Sequence, residues 1–232
     1  KPQQMPIAPP PPIPPPVTPR NRPIAIGFYI NWDESSYASL KRNLDHLDWV
    51  VPQWVHLQDP NNGASPIFIE MDVPALNLIR ETRPQIRILP MVQNLINEQW
   101  NRDLLARSVV DDASRQRLID ALIAFVDQNK FDGVCIDFED APDAAQLNIL
   151  RFMQQLHTAF HPRGWTVLQA LPFDEKVWNY PAYAAATDYL MLMAYDEHWS
   201  SAKDIGAVAS QGWFESNLVT RMKELDPAKT II

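Results

Sequence analysis

The sequence predicts an α/β fold, a (β/α)8 TIM barrel that is C-terminally truncated, with about six β/α units plus the start of strand 7. From Ile24 onward, short apolar runs alternate with amphipathic stretches. The runs are mostly apolar at every position, as in parallel strands covered on both faces by other layers. Polar and aromatic residues also recur at the C-terminal ends of these runs, the end where a barrel gathers its functional groups. A doubly wound sheet fits the alternation too, but the number of units favours the barrel.

The elements follow in order. Residues 1–23 hold half of the chain's 22 prolines and no pattern able to bury a face, which predicts an extended polyproline linker ahead of a barrel over 24–232. Ile24 to Asn31 is a predicted buried strand, and Leu40, Leu44 and Leu47 mark a helix across Ser36 to Leu47. Strand Trp49 to Leu57, helix Val73 to Glu81 and strand Ile86 to Gln93 come next. A long helix over Asp111 to Gln128 buries Leu118, Leu122, Phe125 and Val126. Strand Phe131 to Asp140, a helix from about Ala144 to Phe160 and strand Thr166 to Leu171 follow. A short helix near Tyr180 to Ala186, strand Tyr189 to Tyr195 and a helix over Trp213 to Leu225 lead to a last apolar run at Thr230.

The 232 residues are 46% hydrophobic and 21% charged, enough apolar surface for a sizeable core. A net charge of −8 with unclustered Lys and Arg argues against nucleic acid and suits a neutral or cationic substrate. Cys135 is the single cysteine, so neither an internal disulfide nor a multi-Cys zinc site is expected. No HxH or HExxH motif supports a metal, and no metal or cofactor is expected; His56 and His198 read as ordinary neutral histidines. No run of about 18 apolar residues spans a membrane. The chain opens on Lys1 and a proline tract, so an anchor or signal is expected only in a segment upstream.

The chemistry concentrates in FDGVCIDFED, Phe131 to Asp140. Strand side chains alternate faces, so Cys135, Asp137 and Glu139 project together while Val134, Ile136 and Phe138 fill the other side. Two carboxyls buried side by side raise the pKa of at least one of them, which keeps a proton donor loaded near neutral pH. The strand ends add Tyr29, Asn31 and Trp32, then His56 and Gln58, Gln93 and Asn94, Gln169, and Tyr195 with Asp196. In a barrel all of these would ring one mouth.

These residues resemble a known family. FDGVCIDFE is similar to the fourth-strand DGxDxDxE signature of glycoside hydrolase family 18, and MAYD at Met193 to Asp196 resembles its sixth-strand MxYD motif. Longer runs, GFYINWDESSYASLKRNLDHLDWVVPQW and LQALPFDEKVWNYPAYAAATDYLMLMAYDEHW, resemble family 18 domains of bacterial membrane proteins. Those proteins combine the barrel with a NodB-type polysaccharide deacetylase and a family 2 glycosyltransferase. The resemblance therefore implies an extracytoplasmic, membrane-tethered protein with those two domains covalently linked. It also implies Glu139 as general acid, Asp137 as the partner holding the substrate's N-acetyl group, and Asp132 in the carboxylate ladder behind them. Tyr195 would hydrogen-bond the acetamido oxygen and Asp196 would bind the sugar near the cleavage point. Gln169, Gln93, Tyr29, Asn31 and Trp32 complete the expected substrate-binding set.

Spacing bears on the mechanism. Asp137 and Glu139 lie two residues apart on one strand, roughly 6 to 7 Å between Cα atoms, and approach a sugar from one side. An acid and a protein nucleophile must flank the bond from opposite sides. The resemblance supplies the missing nucleophile, because in family 18 the substrate's own acetamido oxygen attacks. The expected substrate thus contains β-linked N-acetylglucosamine, as in chitin oligomers, peptidoglycan or an exopolysaccharide. Two departures from the family pattern stand out. Cys135 occupies the place of the middle Asp of the ladder, and ILPMVQN lacks the SxGG motif. A barrel that holds a glycan for neighbouring domains without cleaving it is the competing expectation; retention of Glu139 favours hydrolysis.

Overall fold

The computed structural model describes residues 23–59, 65–199 and 204–232. The proline-rich stretch of residues 1–22 lies outside them. The chain builds β1 (Ile26–Tyr29), α1 (Glu34–Asn43), β2 (Trp49–Leu57), β3 (Ile67–Ile69) and α2 (Val73–Thr82). It continues through β4 (Arg87–Ile88), β5 (Met91–Gln93), β6 (Leu95–Ile96), β7 (Gln99–Trp100), α3 (Arg102–Ser108) and α4 (Asp112–Asn129). The remaining elements are β8 (Gly133–Asp137), α5 (Gln146–Phe160), β9 (Thr166–Pro172), α6 (Tyr180–Ala185), β10 (Tyr189–Met193), α7 (Gln211–Glu224) and β11 (Thr230–Ile231).

The main path of the sheet runs β1-β2-β5-β8-β9-β10-β11. Every neighbouring pair on that path is parallel, so each crossover carries helices to one side and the sheet curls into a half-barrel. Because the strands are apolar on both faces, the core divides in two. Trp49, Val51, Leu89, Met91, Cys135, Leu168, Ala170 and Met191 fill the concave side. A larger cluster, including Val134, Ile136, Phe152, Val167 and Leu190, packs the convex side against the helices. Asymmetry of this kind identifies which way each strand residue faces.

Helix starts follow local chemistry. Asp33, Asp72, Asn101, Asp111, Asn179 and Ser210 each accept from a backbone N–H of the first turn of α1, α2, α3, α4, α6 and α7. α4 ends at Lys130 in the left-handed region, and Phe131 then enters the strand. Gly133 has φ +147°, and a Cβ there would meet the Thr166 carbonyl oxygen at 1.9 Å. Only glycine lets β8 lie this close to β9 at that point.

The predicted strands and long helices are all present, with boundaries shifted by a few residues. Three features were not expected: β3, antiparallel to the end of β2, the β6–β7 hairpin, and the seven-residue helix α3. The predicted strand Ile86 to Gln93 is broken into β4 and β5. Pro90 has no N–H to give, while its carbonyl accepts from Cys135 N at 3.0 Å.

Candidate active site

β8 carries its acids to the C-terminal rim of the half-barrel. Cys135 is fully buried in the concave core, and Asp137, 5% exposed, follows on the same face at the strand's last residue. Glu139 stands two residues on, just past the strand end, partly buried. Its backbone is clamped by the fully buried Asn94, whose Oδ1 accepts from Glu139 N at 3.0 Å and whose Nδ2 donates to Glu139 O at 2.9 Å. Gln93 adjoins Asp137 in the register and donates from Nε2 to Asp137 Oδ2 at 2.7 Å. The other carboxylate oxygen, Oδ1, is buried without a hydrogen-bond partner among the described residues.

Burial dominates the electrostatics of this pair. It pushes Asp137 up to about 6, opposed by the Gln93 amide, which favours the ionised form. Glu139 is pushed up to about 8, first by burial and then by the negative charges of Asp137, Asp196 and Glu175. Near pH 7 the pair therefore holds one proton, on Glu139, with Asp137 ionised. Tyr195 extends the inward-facing row of Tyr189 and Met193 on β10. Its phenol is pushed up to about 12 by burial and then by Asp137, Glu139 and Asp196, so it remains a proton donor. Asp196 follows with φ +68°, an uncommon conformation for a residue with a Cβ.

Asp137, Glu139, Gln93, Tyr195 and Asp196 thus converge as expected. Three residues do not join them. Asp132 precedes β8 at the opposite end, roughly 17 Å of strand from Asp137. It accepts from Ile88 N at 2.9 Å and pairs with Arg87 at 3.9 Å, so it ties two strands together away from the mouth. Tyr29 is 2% exposed on the convex side, where its hydroxyl donates to Asp72 Oδ2 at 2.5 Å and its ring meets Trp54 edge-on. Gln169 pairs in register with Ile136 and Leu190, both convex-side residues, and is buried in that layer. Period-2 alternation turns both side chains away from the mouth.

Asn31 and Trp32 lie past the end of β1 on the rim. Asn31 Nδ2 donates to the Glu70 carbonyl at 3.0 Å, and Trp32 is 61% exposed. Trp32, His56, Phe68, Glu70, Leu95 and Arg107 help line a cleft of about 1020 Å³ beside the mouth. A register shift in β2 between Gln53 and Val55 turns both Trp54 and Val55 to the convex core, so His56 faces inward next to Gln93. His56 Nδ1 lies 3.1 Å from the Leu95 carbonyl, and Nε2 is 3.5 Å from Glu70. His198 instead bonds the Ala207 carbonyl at 2.9 Å.

Two contributors were missed in the sequence, and the role of a third was not visible there. Phe28 shares the face of Ile24 and Ile26, which pack into the concave core, and is 47% exposed. Alternation along β1 was the signal for it. Glu175, whose charge reaches Glu139, sits in the loop after β9, where no periodicity marks it. Asn94 was visible only as a strand-end residue; its backbone clamp depends on a neighbouring strand.

The family model described as "Glycosyl hydrolases family 18" matches residues 25–224. A search of curated proteins gave no match. Among solved structures, a chitinase from Chromobacterium violaceum ATCC 12472 superposes with a TM-score of 0.78 at 24% identity, covering 89% of this chain and 66% of its own. The spore cortex-lytic enzyme SleL of Bacillus cereus gives 0.75 at 16% identity, with 89% of this chain and 49% of its own covered. A variant GH18 chitinase from Cycas revoluta in complex with (GlcNAc)4 gives 0.74 at 19% identity, over 90% and 68%. The chain thus spans between about half and two thirds of the length of these structures. At these identities the likeness is one of fold.

Proposed function

The chain belongs to glycosyl hydrolase family 18, and from that premise we propose that its mouth performs retaining, substrate-assisted hydrolysis of glycans containing β-linked N-acetylglucosamine. The observation that carries this reading is the division of labour between two neighbouring acids, Asp137 at the last residue of β8 and Glu139 just beyond it. Glu139 holds its proton to about 8, while Asp137 beside it ionises at about 6. Glu139 protonates the glycosidic oxygen as the bond to the anomeric carbon breaks. The acetamido oxygen of the same sugar attacks that carbon, giving a cyclic oxazolinium ion, and the Asp137 carboxylate stabilises its positive charge. Tyr195 donates to the acetamido oxygen and holds it for attack, with Asp196 binding the sugar beside it. Water then opens the ring, giving its proton to Glu139 and retaining the anomeric configuration.

The cleft beside the mouth, with Trp32 and Phe68 exposed along it, supports a polymeric substrate, since aromatic faces stack on sugar rings. Chitin oligomers, peptidoglycan glycan and a related exopolysaccharide all carry the required acetamido group. The deciding experiment measures cleavage of a chitooligosaccharide and a peptidoglycan fragment by the protein and by Glu139→Gln. Cleavage abolished in the variant with binding retained supports the proposal.

Cys135 favours a second reading, a glycan-binding barrel that assists a fused polysaccharide deacetylase and glycosyltransferase. The fully buried thiol is held well above its ordinary pKa by burial and by Asp137, so no acid lies beneath the pair to relay a proton. Equal glycan binding and no cleavage by either form would select this reading. The resemblance of the two long runs and the proline-rich stretch support placing the barrel outside the cytoplasm in a tethered protein. Fractionation of cells carrying the full-length protein tests that placement.

A further inference from the structure

At the end of the half-barrel opposite the mouth, His157, His161 and Asp188 bring their ligand atoms within 4.8 Å of one another. The two histidines are four residues apart, so the last turn of α5 and the turn after it present both rings on one side. The rings stack at 5.3 Å between centroids and 29° between planes. Asp188, just ahead of β10, is already fixed: its N–H donates to the Val167 carbonyl at 2.9 Å, and its Oδ2 accepts from Val167 N at 2.8 Å. Oδ1 is left to face His157 Nε2 at 3.3 Å. The His161 ring makes no side-chain hydrogen bond among the described residues.

We propose that His157, His161 and Asp188 form a binding site for a divalent transition-metal ion such as Zn2+, separate from the carbohydrate mouth. Two neutral imidazoles and one carboxylate are the donor set such an ion prefers, and partial exposure leaves room for water as the fourth ligand. Zinc bonds of about 2.0 to 2.1 Å hold tetrahedral donors about 3.3 Å apart, so the three side chains need only close inward by rotation about their χ angles. The C-terminal carbonyls of α5 add a negative field that favours a cation at this position. The ion would clip the end of α5 to the segment entering β10, and its role is structural. This proposal departs from the expectation, drawn from sequence motifs, that no metal is bound.

Zn2+ titrated into chelator-treated protein, followed by calorimetry and by thermal unfolding, tests the site. One saturating equivalent and a raised Tm are expected, with affinity falling at least tenfold in His161→Ala and in His157→Gln and unchanged in Glu139→Gln. His161 is exposed, so its loss leaves the fold intact by circular dichroism. Absence of saturable binding, affinity in either histidine variant equal to that of the parent protein, or loss only in Glu139→Gln would each overturn the proposal.

Discussion

Asn94 holds Glu139 by its backbone from both directions, accepting its N–H at 3.0 Å and donating to its carbonyl at 2.9 Å. Glu139 has left the β8 ladder, so these two bonds replace the strand pairing that would otherwise fix it. Asn94→Ala therefore strands two backbone groups and is expected to destabilise the fold by about 1 to 3 kcal/mol. The proposed hydrolysis should fall more than tenfold, because the acid would no longer be held in position. Denaturant unfolding beside chitooligosaccharide turnover measures both effects.

Glu139 and Asp137 also couple stability to pH. Both bind protons more tightly folded than unfolded, so their stabilising contribution is complete below their ordinary values of 4.5 and 3.8. It is lost as pH rises through about 6 for Asp137 and about 8 for Glu139. Glu139→Gln removes the larger dependence. The variant should match the parent near pH 4 and exceed it at pH 9 by on the order of 1 to 3 kcal/mol, seen as a Tm higher by several degrees. Equal Tm curves across that range would show that Glu139 is not desolvated.

Turnover by the parent protein should follow a bell with limbs near the same two values, about 6 and about 8. Gln93 sets the lower limb, since its amide is the donor that opposes the burial of Asp137. Gln93→Leu keeps an apolar filling for this buried position and removes the donor. The acidic limb should move upward by roughly one pH unit, with the basic limb little changed. A pH–rate profile of kcat/KM reads the shift, and an unmoved acidic limb would separate Gln93 from Asp137 ionisation.

The sequence made the central part of this site legible and misplaced its edges, for a physical reason. In FDGVCIDFED one face is polar and the other apolar, so alternation alone put Asp137 and Glu139 together. β1 and β9 are apolar on both faces, and nothing in them says which side is concave. Tyr29 and Gln169 were assigned from their nearness to strand ends, whereas their register with neighbours turns them outward. The same register places Phe28 at the mouth. His56 depends on a shift in β2 that breaks the two-residue period, which no reading of alternation anticipates. The β6–β7 hairpin and α3 are too short to leave a periodic signal, yet the hairpin strand β6 supplies Leu95 and Ile96 to the cleft.

Cys135 offers a gain-of-function test. It lies two residues before Asp137 on the same concave face, and Asp137 Oδ1 lacks a partner among the described residues. Cys135→Asp would place a carboxyl in a fully buried position next to an existing carboxylate, where ionising both is strongly disfavoured. The new acid should therefore stay protonated through neutral pH and donate its O–H to Asp137. A second donor stabilises the Asp137 carboxylate, so the acidic limb of the pH–rate profile should drop by about one unit and turnover near pH 5 should rise several-fold. Replacing an apolar thiol with a polar group in the barrel interior opposes this gain, costing about 1 to 3 kcal/mol in stability. Comparing Cys135→Asp with Cys135→Asn, which can donate but cannot relay a proton, separates a hydrogen-bond effect from a relay. Equal activity in both variants would assign the gain to Asp137 stabilisation alone, and unchanged profiles would remove position 135 from the chemistry.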